Sequence, residues 1–282
     1  MTVVALAGCP GSPGATTTML ALQAAWPLPE GRTLIAAECD PEGGSVLTGA
    51  LQGRLGTGLG LGNLTLPGRR GAKELHEAFW SELVFIEDDK QAQQRTGRTV
   101  LPGFANPLVE SPGFAPVWGL LAEEFAGIES HRHDVLVDLG RSGAFGPSGV
   151  LARRADAVIL VARTTLPSLH AAAVRLEGLR EHIRHLGLVL IEEEHRAAYA
   201  LAELRKQRDL QVPLVATLPY APKQARVYSH GATPERRFER SRLMLAARTL
   251  AEALVRQIAE RRAAHSRRLQ QVTGQGEVSY AG

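Results

Sequence analysis

Residues 8–18 read Gly-Cys-Pro-Gly-Ser-Pro-Gly-Ala-Thr-Thr-Thr and follow directly on an apolar run, Val3 to Ala7. Glycines let a backbone curl until successive N–H groups converge, and a helix opening on threonine adds the positive end of its dipole. A strand, a Gly/Pro turn and a threonine-started helix in that order are the layout of a phosphate-binding loop. In isolation the same segment also fits a tight strand-to-helix turn without a ligand. Other chemistry is poorly supplied. The two cysteines, Cys9 and Cys39, have neither a disulfide framework nor metal-ligand spacing, and the nine histidines are scattered away from any carboxylate or cysteine cluster.

The elements that must position this loop are legible as a rhythm. Short β-branched or leucine-rich runs at Val3 to Gly8, Thr33 to Ala37, Val84 to Glu87, Val135 to Asp138, Ala157 to Ala162, Leu186 to Ile191 and Val212 to Leu218 read as buried parallel strands. Helical patterns lie between and after them: Ala15 to Ala25, Ala72 to Glu82, Pro116 to Phe125, Leu166 to His185, Ala198 to Arg208 and Ser241 to Ala264. Such alternation predicts an α/β fold, a doubly wound, mostly parallel sheet with helices on both faces. The stretches Gly53 to Gly71 and Lys90 to Pro112, rich in Gly, Pro and polar residues, read as long loops.

No break divides the pattern, so one domain is expected over residues 1–264 of the 282, with 265–282 a disordered basic and polar tail. Apolar residues at 44% and charged residues at 22% fit a globular chain and exclude a fibrous or disordered one. There is no apolar run of membrane-spanning length, and a reducing, cytoplasmic setting is expected from the cysteine usage. The net charge of +3 is too small by itself to imply nucleic acid. Only four of the 32 basic residues are lysines (Lys73, Lys90, Lys206 and Lys223).

Aligned without gaps, Cys9 to Thr17 resembles the deviant Walker A motif, G-K-G-G-V-G-K-T-T, of the MinD/ParA family of P-loop ATPases. Gly11, Gly14, Thr16 and Thr17 match it. Further resemblances follow in order: Glu38-Cys39-Asp40-Pro41-Glu42-Gly43 to the family's D-x-D-P-Q-G, Asp134 to Asp138 to the Walker B strand, Ala155 to Ala162 to A-D-x-V-L-L-V, and Leu218-Pro219-Tyr220 to I-P-Y. The resemblance spans residue 3 to about 260 and implies the P-loop NTPase fold and ATP or ADP with Mg²⁺ as cofactors. It implies nucleotide contacts from Gly11, Ser12, Gly14, Ala15, Thr16, Thr17 and Pro219. It further implies Mg²⁺ contacts from Thr16, Asp40 and Asp138, with Asp40 as the catalytic carboxylate beside Glu38.

The departures from the family pattern lie in its cations. The lysine that reaches the β/γ-phosphates is Ala15 here, and the signature lysine that reaches across the dimer is Pro10. The asparagine that reads adenine has no counterpart in Leu188 to Glu194, where Glu192 to Glu194 reads as a solvated acidic loop. A charge-assisted hydrogen bond contributes roughly 1.5–3 kcal/mol. Loss of the loop lysine should therefore weaken nucleotide affinity and depress hydrolysis further, because stabilising phosphoryl charge is nearly the whole of that catalysis. Arg141, after the Walker B strand, is either a substitute cation or a surface arginine.

The resemblance implies a homodimeric positioning or assembly factor, for chromosome or plasmid partitioning or, in the CpaE/TadZ branch with its eroded loops, for a pilus or secretion machine. One reading is a pseudo-ATPase scaffold, favoured by Pro10 and Pro13, which remove N–H donors. The other is an ATP-dependent dimerisation switch. A metabolic enzyme of the same superfamily fits less well. From Glu235 to Arg268 ten arginines face four glutamates, a candidate surface for nonspecific DNA. In the same stretch Leu243, Ala247, Leu250, Leu254 and Ile258 stand at helical spacing and should pack on the sheet.

Overall fold

A computed structural model describes residues 2–11, 14–56, 58–86, 97–127, 132–193 and 195–276. Its strands are β1 (Val3–Gly8), β2 (Thr33–Glu38), β3 (Arg98–Leu101), β4 (His133–Asp138), β5 (Ala157–Arg163), β6 (Leu186–Glu192) and β7 (Leu214–Pro219). Among the described residues they form one seven-stranded sheet in the order β3-β2-β4-β1-β5-β6-β7, and every neighbouring pair is parallel. The chain moves outward from β1 to β2 and β3, returns to β4 beside β1, and continues to β5 on the other side of β1. Connections thus diverge around β1, and the carboxyl ends of the central strands open a crevice where ligands of such sheets sit.

Both faces of the sheet are buried, which is why its strands read as continuous apolar runs. Alternate residues point to opposite faces. Val3, Ala5, Ile35, Val135 and Leu160 join one core, whereas Val4, Leu6, Leu34, Leu136 and Ile159 join the other. The first core is covered by α3 (Ala72–Ser81), α5 (Trp118–Gly127), α7 (Leu166–Arg180) and α8 (Ala197–Arg208), with Phe79, Phe125, Leu169 and Leu204 among its members. The second is covered by α1 (Ala15–Ala25) and α10 (Arg242–Gly276). As the helical spacing predicts, Leu243, Ala247, Leu250, Leu254 and Ile258 are all buried. Among the described residues no helix is long and apolar enough to cross a membrane.

The structure corrects several local expectations. Val84 makes a single antiparallel bridge to Val100 rather than opening a strand, and Glu87 lies outside the described residues. The strand that pairs with the outer edge of β2 is β3, within the stretch read as loop. Only Val100 and Leu101 are buried there, too short an apolar signal to stand out. In the same stretch α4 (Pro107–Phe114) begins with proline in its first turn and buries Phe114 against Phe104 and Trp118, at ring distances of 5.4 and 4.6 Å. The other expected loop contains a 3-10 turn, Leu61–Leu64, and α2 (Thr65–Arg70). The helix α10 continues past Ala264 to Gly276, and residues 277–282 lie outside the described ones.

Two further helices, α6 (Gly149–Arg154) and α9 (Pro222–His230), have no counterpart in the apolar periodicity. The second fully buries none of its residues, so it carries no core stripe. Its start at Pro222 and its stop at Gly231, in the left-handed region at φ 60°, were the available signals.

Candidate functional site

Where β1 ends, the Gly8 N–H donates to the Gly140 carbonyl at 2.7 Å, which binds the start of the loop to the turn after β4. Gly11 and Gly14 have φ of 90° and 94°, a conformation that only glycine adopts readily, and α1 begins immediately afterwards. Ser12 lies outside the described residues. Ala15, at the position of the family lysine, is the first residue of α1 and its methyl group is buried. Cys9 is buried beside the loop, and burial pushes its thiol up to about 12, so it stays protonated and unreactive.

Three of the predicted metal-site groups come together beneath the loop. The Thr16 hydroxyl donates to Asp138 Oδ2, while the Gly140 N–H donates to Asp138 Oδ1 at 2.9 Å. Asp40, whose Oδ1 accepts the Glu42 N–H at 2.9 Å, lies against the Cα of Gly140, where a side chain would strike its carboxyl at 1.9 Å. Burial raises the Asp138 carboxyl to about 6, against the Thr16 and Gly140 hydrogen bonds that hold it down. It also raises Asp40 to about 6, opposed by the Glu42 N–H and assisted by repulsion from Asp138. Two carboxylates that resist ionisation side by side are what a divalent cation relieves. No cluster of three or more His, Cys, Asp or Glu among the described residues would hold a metal by itself. The donor set of Thr16, Asp40 and Asp138, one hydroxyl and two carboxylates, suits Mg²⁺, which completes its shell with phosphate and water.

Glu38, paired with Asp40 in the family motif, is placed elsewhere. Its side chain is fully buried and accepts N–H groups from Ser45 at 2.5 Å, Val46 at 3.2 Å and Gly103 at 3.1 Å, and the Ser45 hydroxyl at 3.0 Å. It ties the loop after β2 to the end of β3 and does not line the cleft. Arg141 does line the cleft, paired with the Glu42 carboxylate, which also accepts the Ser142 hydroxyl at 2.8 Å. Those two partners hold Glu42 below the usual range, Ser142 contributing most.

The cleft over the loop measures about 870 Å³. One wall is Gly8, Gly14, Ala15, Thr16, Thr17, Asp40 and Gly140, with Asp138 behind Thr16; the other runs from Ile191 through Pro219 and Tyr220 onto α9. Gly11 lies in the loop but does not line this cleft. Reading the sequence missed Arg163, Tyr220, Lys223 and Arg226, all of which face it. The Arg163 guanidinium lies 5.2 Å from the Tyr220 ring centroid and pairs with Glu193 at 3.3 Å. Lys223 pairs with Glu235 at 2.6 Å. The acidic run after β6 is therefore more than a solvated loop. Glu193 anchors Arg163, and Glu192 accepts the Ala197 N–H at 2.9 Å at the start of α8. Glu194 lies outside the described residues.

Among solved structures the chain is similar to a ParA family ATPase from Chlorobium tepidum, at 14% identity and a TM-score of 0.64, over 89% of this chain and 98% of that one. It is similar to the cell division ATPase MinD of Pyrococcus furiosus, at 17% identity and 0.64, over 90% and 98%. The septum site-determining protein MinD of Pyrococcus horikoshii, complexed with Mg-ADP, matches at 16% identity and 0.60, over 89% and 94%. The seven-stranded sheet and its helices have the P-loop NTPase α/β fold of these neighbours. No family model and no curated protein matches the sequence.

Proposed function

We propose that the chain binds an adenine nucleotide with Mg²⁺ in this cleft and serves as a homodimeric positioning or assembly factor of the MinD/ParA kind, hydrolysing ATP slowly or not at all. The observation that carries the nucleotide reading is the Thr16 hydroxyl on the buried Asp138, with Asp40 alongside, directly under a loop whose glycines take positive φ. Thr16, Asp138 and Asp40 would hold the Mg²⁺, which supplies charge neutralisation at the phosphates. The fold likeness to a MinD solved with Mg-ADP supports the same ligand. Ala15 supports the slow or absent hydrolysis, because its methyl group offers no charge to a transferring phosphoryl group. The eroded loop also suits a scaffold that places a pilus or secretion machine.

Titration of ATP·Mg²⁺ and ADP·Mg²⁺ into the protein, with light scattering to follow mass, tests this reading. Micromolar binding with nucleotide-dependent doubling of mass and negligible phosphate release is the expected result. Absence of heat at millimolar nucleotide would overturn it in favour of a ligand-free scaffold.

A second reading, contact with nonspecific DNA, is favoured by one feature at the opposite end of the sheet. Arg184, Arg261, Arg262 and Arg268 line a hollow of about 680 Å³ between the start of β6 and α10, with Asp156 as its acidic member. A salt-dependent gel shift that weakens on reversing Arg261 and Arg268 would support it.

A further inference from the structure

We infer that Arg226 supplies the positive charge the loop lacks at Ala15, binding the phosphate oxygens of the nucleotide from the opposite wall of the cleft; this rests on the nucleotide reading above. Four lysine or arginine side chains among the described residues line that cleft: Arg141, Arg163, Lys223 and Arg226. Three are matched by a carboxylate, Arg141 by Glu42, Arg163 by Glu193 and Lys223 by Glu235. Among the described residues Arg226 has no ion pair and no side-chain hydrogen bond. An exposed guanidinium with no carboxylate partner keeps its full field for a ligand.

Geometry places that charge in the cleft that the loop lines. The helix α9 starts immediately beyond the carboxyl end of β7 and packs against α1, whose first residue is Ala15. Positions 223, 226, 229 and 230 recur at helical spacing and share the face that lines the cleft, opposite Thr16, Thr17 and Thr18. The acidic or basic side chains left without an ion pair at the cleft are then Arg226 on α9 and Asp40, with Asp138 behind Thr16. That distribution complements a metal–polyphosphate, whose Mg²⁺ needs carboxylates and whose outer oxygens need a cation. Arginine is the better residue for this reach, because its planar fork takes two phosphate oxygens together where lysine offers a point charge.

Calorimetric titration of ADP·Mg²⁺ and of adenosine into the native chain, Arg226→Ala, Arg226→Lys and the double variant Ala15→Lys/Arg226→Ala tests the assignment. Because Arg226 is exposed and unpartnered, Arg226→Ala and Arg226→Lys should melt with the native chain. Arg226→Ala is expected to weaken ADP binding by about tenfold to a hundredfold, the range for one charge-assisted hydrogen bond. Arg226→Lys should fall between, adenosine binding should be unchanged, and the double variant should recover most of the loss. ADP binding by Arg226→Ala within about twofold of native would overturn the inference while leaving the nucleotide reading intact. Failure of the native chain to bind ADP would overturn both, and that arm alone identifies which has failed.

Discussion

The hydroxyl of Thr16, in the first turn of α1, donates to the carboxylate of Asp138 at the end of β4. One hydrogen bond thus joins the loop after β1 to the strand that carries the proposed metal carboxylate, and it does so within a core where Asp138 is fully buried. Each oxygen of Asp138 thus has one donor, Oδ2 the Thr16 hydroxyl and Oδ1 the Gly140 N–H, and each keeps a second lone pair for a cation.

Thr16→Val keeps the shape and deletes the donor, leaving a buried carboxylate short of a partner. Stability should fall by about 1–3 kcal/mol and Mg²⁺-dependent nucleotide binding should be lost, while Thr16→Ser keeps both. Urea melts and nucleotide titrations with and without Mg²⁺ distinguish the cases. A Val variant that still binds in a metal-dependent manner would remove Thr16 from the site.

Asp40 and Asp138 both titrate near pH 6 in the folded chain, against about 3.9 for an unfolded aspartate. Between those values the folded state holds more protons than the unfolded one, so their contribution favours folding below about pH 4 and is lost as pH rises through about 6. Asp138→Asn removes that loss for one group. The variant should be more stable than the native chain at pH 7.5, by a Tm gain of about 2 °C for each kcal/mol recovered, and the gap should close towards pH 4. A gap equal at both pH values would contradict this origin. Mg²⁺ binding runs the other way, needing ionised carboxylates, and should decline as pH falls through 6.

Ala15→Lys places an ammonium group where a methyl group is now buried. Without ligand the variant should melt below the native chain, because a cation is desolvated. With ADP·Mg²⁺ it should bind about tenfold to a hundredfold more tightly and recover the lost stability. Thermal melts across a nucleotide series measure both effects. An unchanged affinity would mean that the loop no longer presents phosphate to this position.

Gly140 stands at φ 57°, and a Cβ there would lie 1.9 Å from the Asp40 carboxyl. Gly140→Ala should therefore displace Asp40, abolish metal-dependent binding and cost more than backbone strain alone, which is about 1–3 kcal/mol. Gly146→Ala is the control, with a φ of 81° and nothing within 4 Å of the added methyl. Comparable losses in the two variants would show that contact with Asp40 plays no part.

Much of this arrangement is legible in the sequence because its signals are local. The Gly11, Gly14 and Thr16 spacing describes a turn that the chain forms within a few residues, and Asp138 closes an apolar run whose burial on both faces leaves no other role for Val135 to Val137. β3 is obscured because a four-residue strand with two buried side chains carries too little pattern, and α9 because a helix without a core stripe has only its end signals.

Covalent order sets which residues follow a strand and short-range sterics set how they turn, so the loop after β1 and the alanine at position 15 are readable along the chain. Long-range packing is what turns Glu38 away to receive three backbone N–H groups, while Asp40, two residues on, faces the cleft. The same folding brings Arg226 and Ala15 to one cleft, although 211 positions separate the two. A carboxylate's surroundings and a cation's reach depend on which strands are neighbours. That neighbourhood is set by burying both faces of the whole sheet, a condition that no local segment satisfies alone.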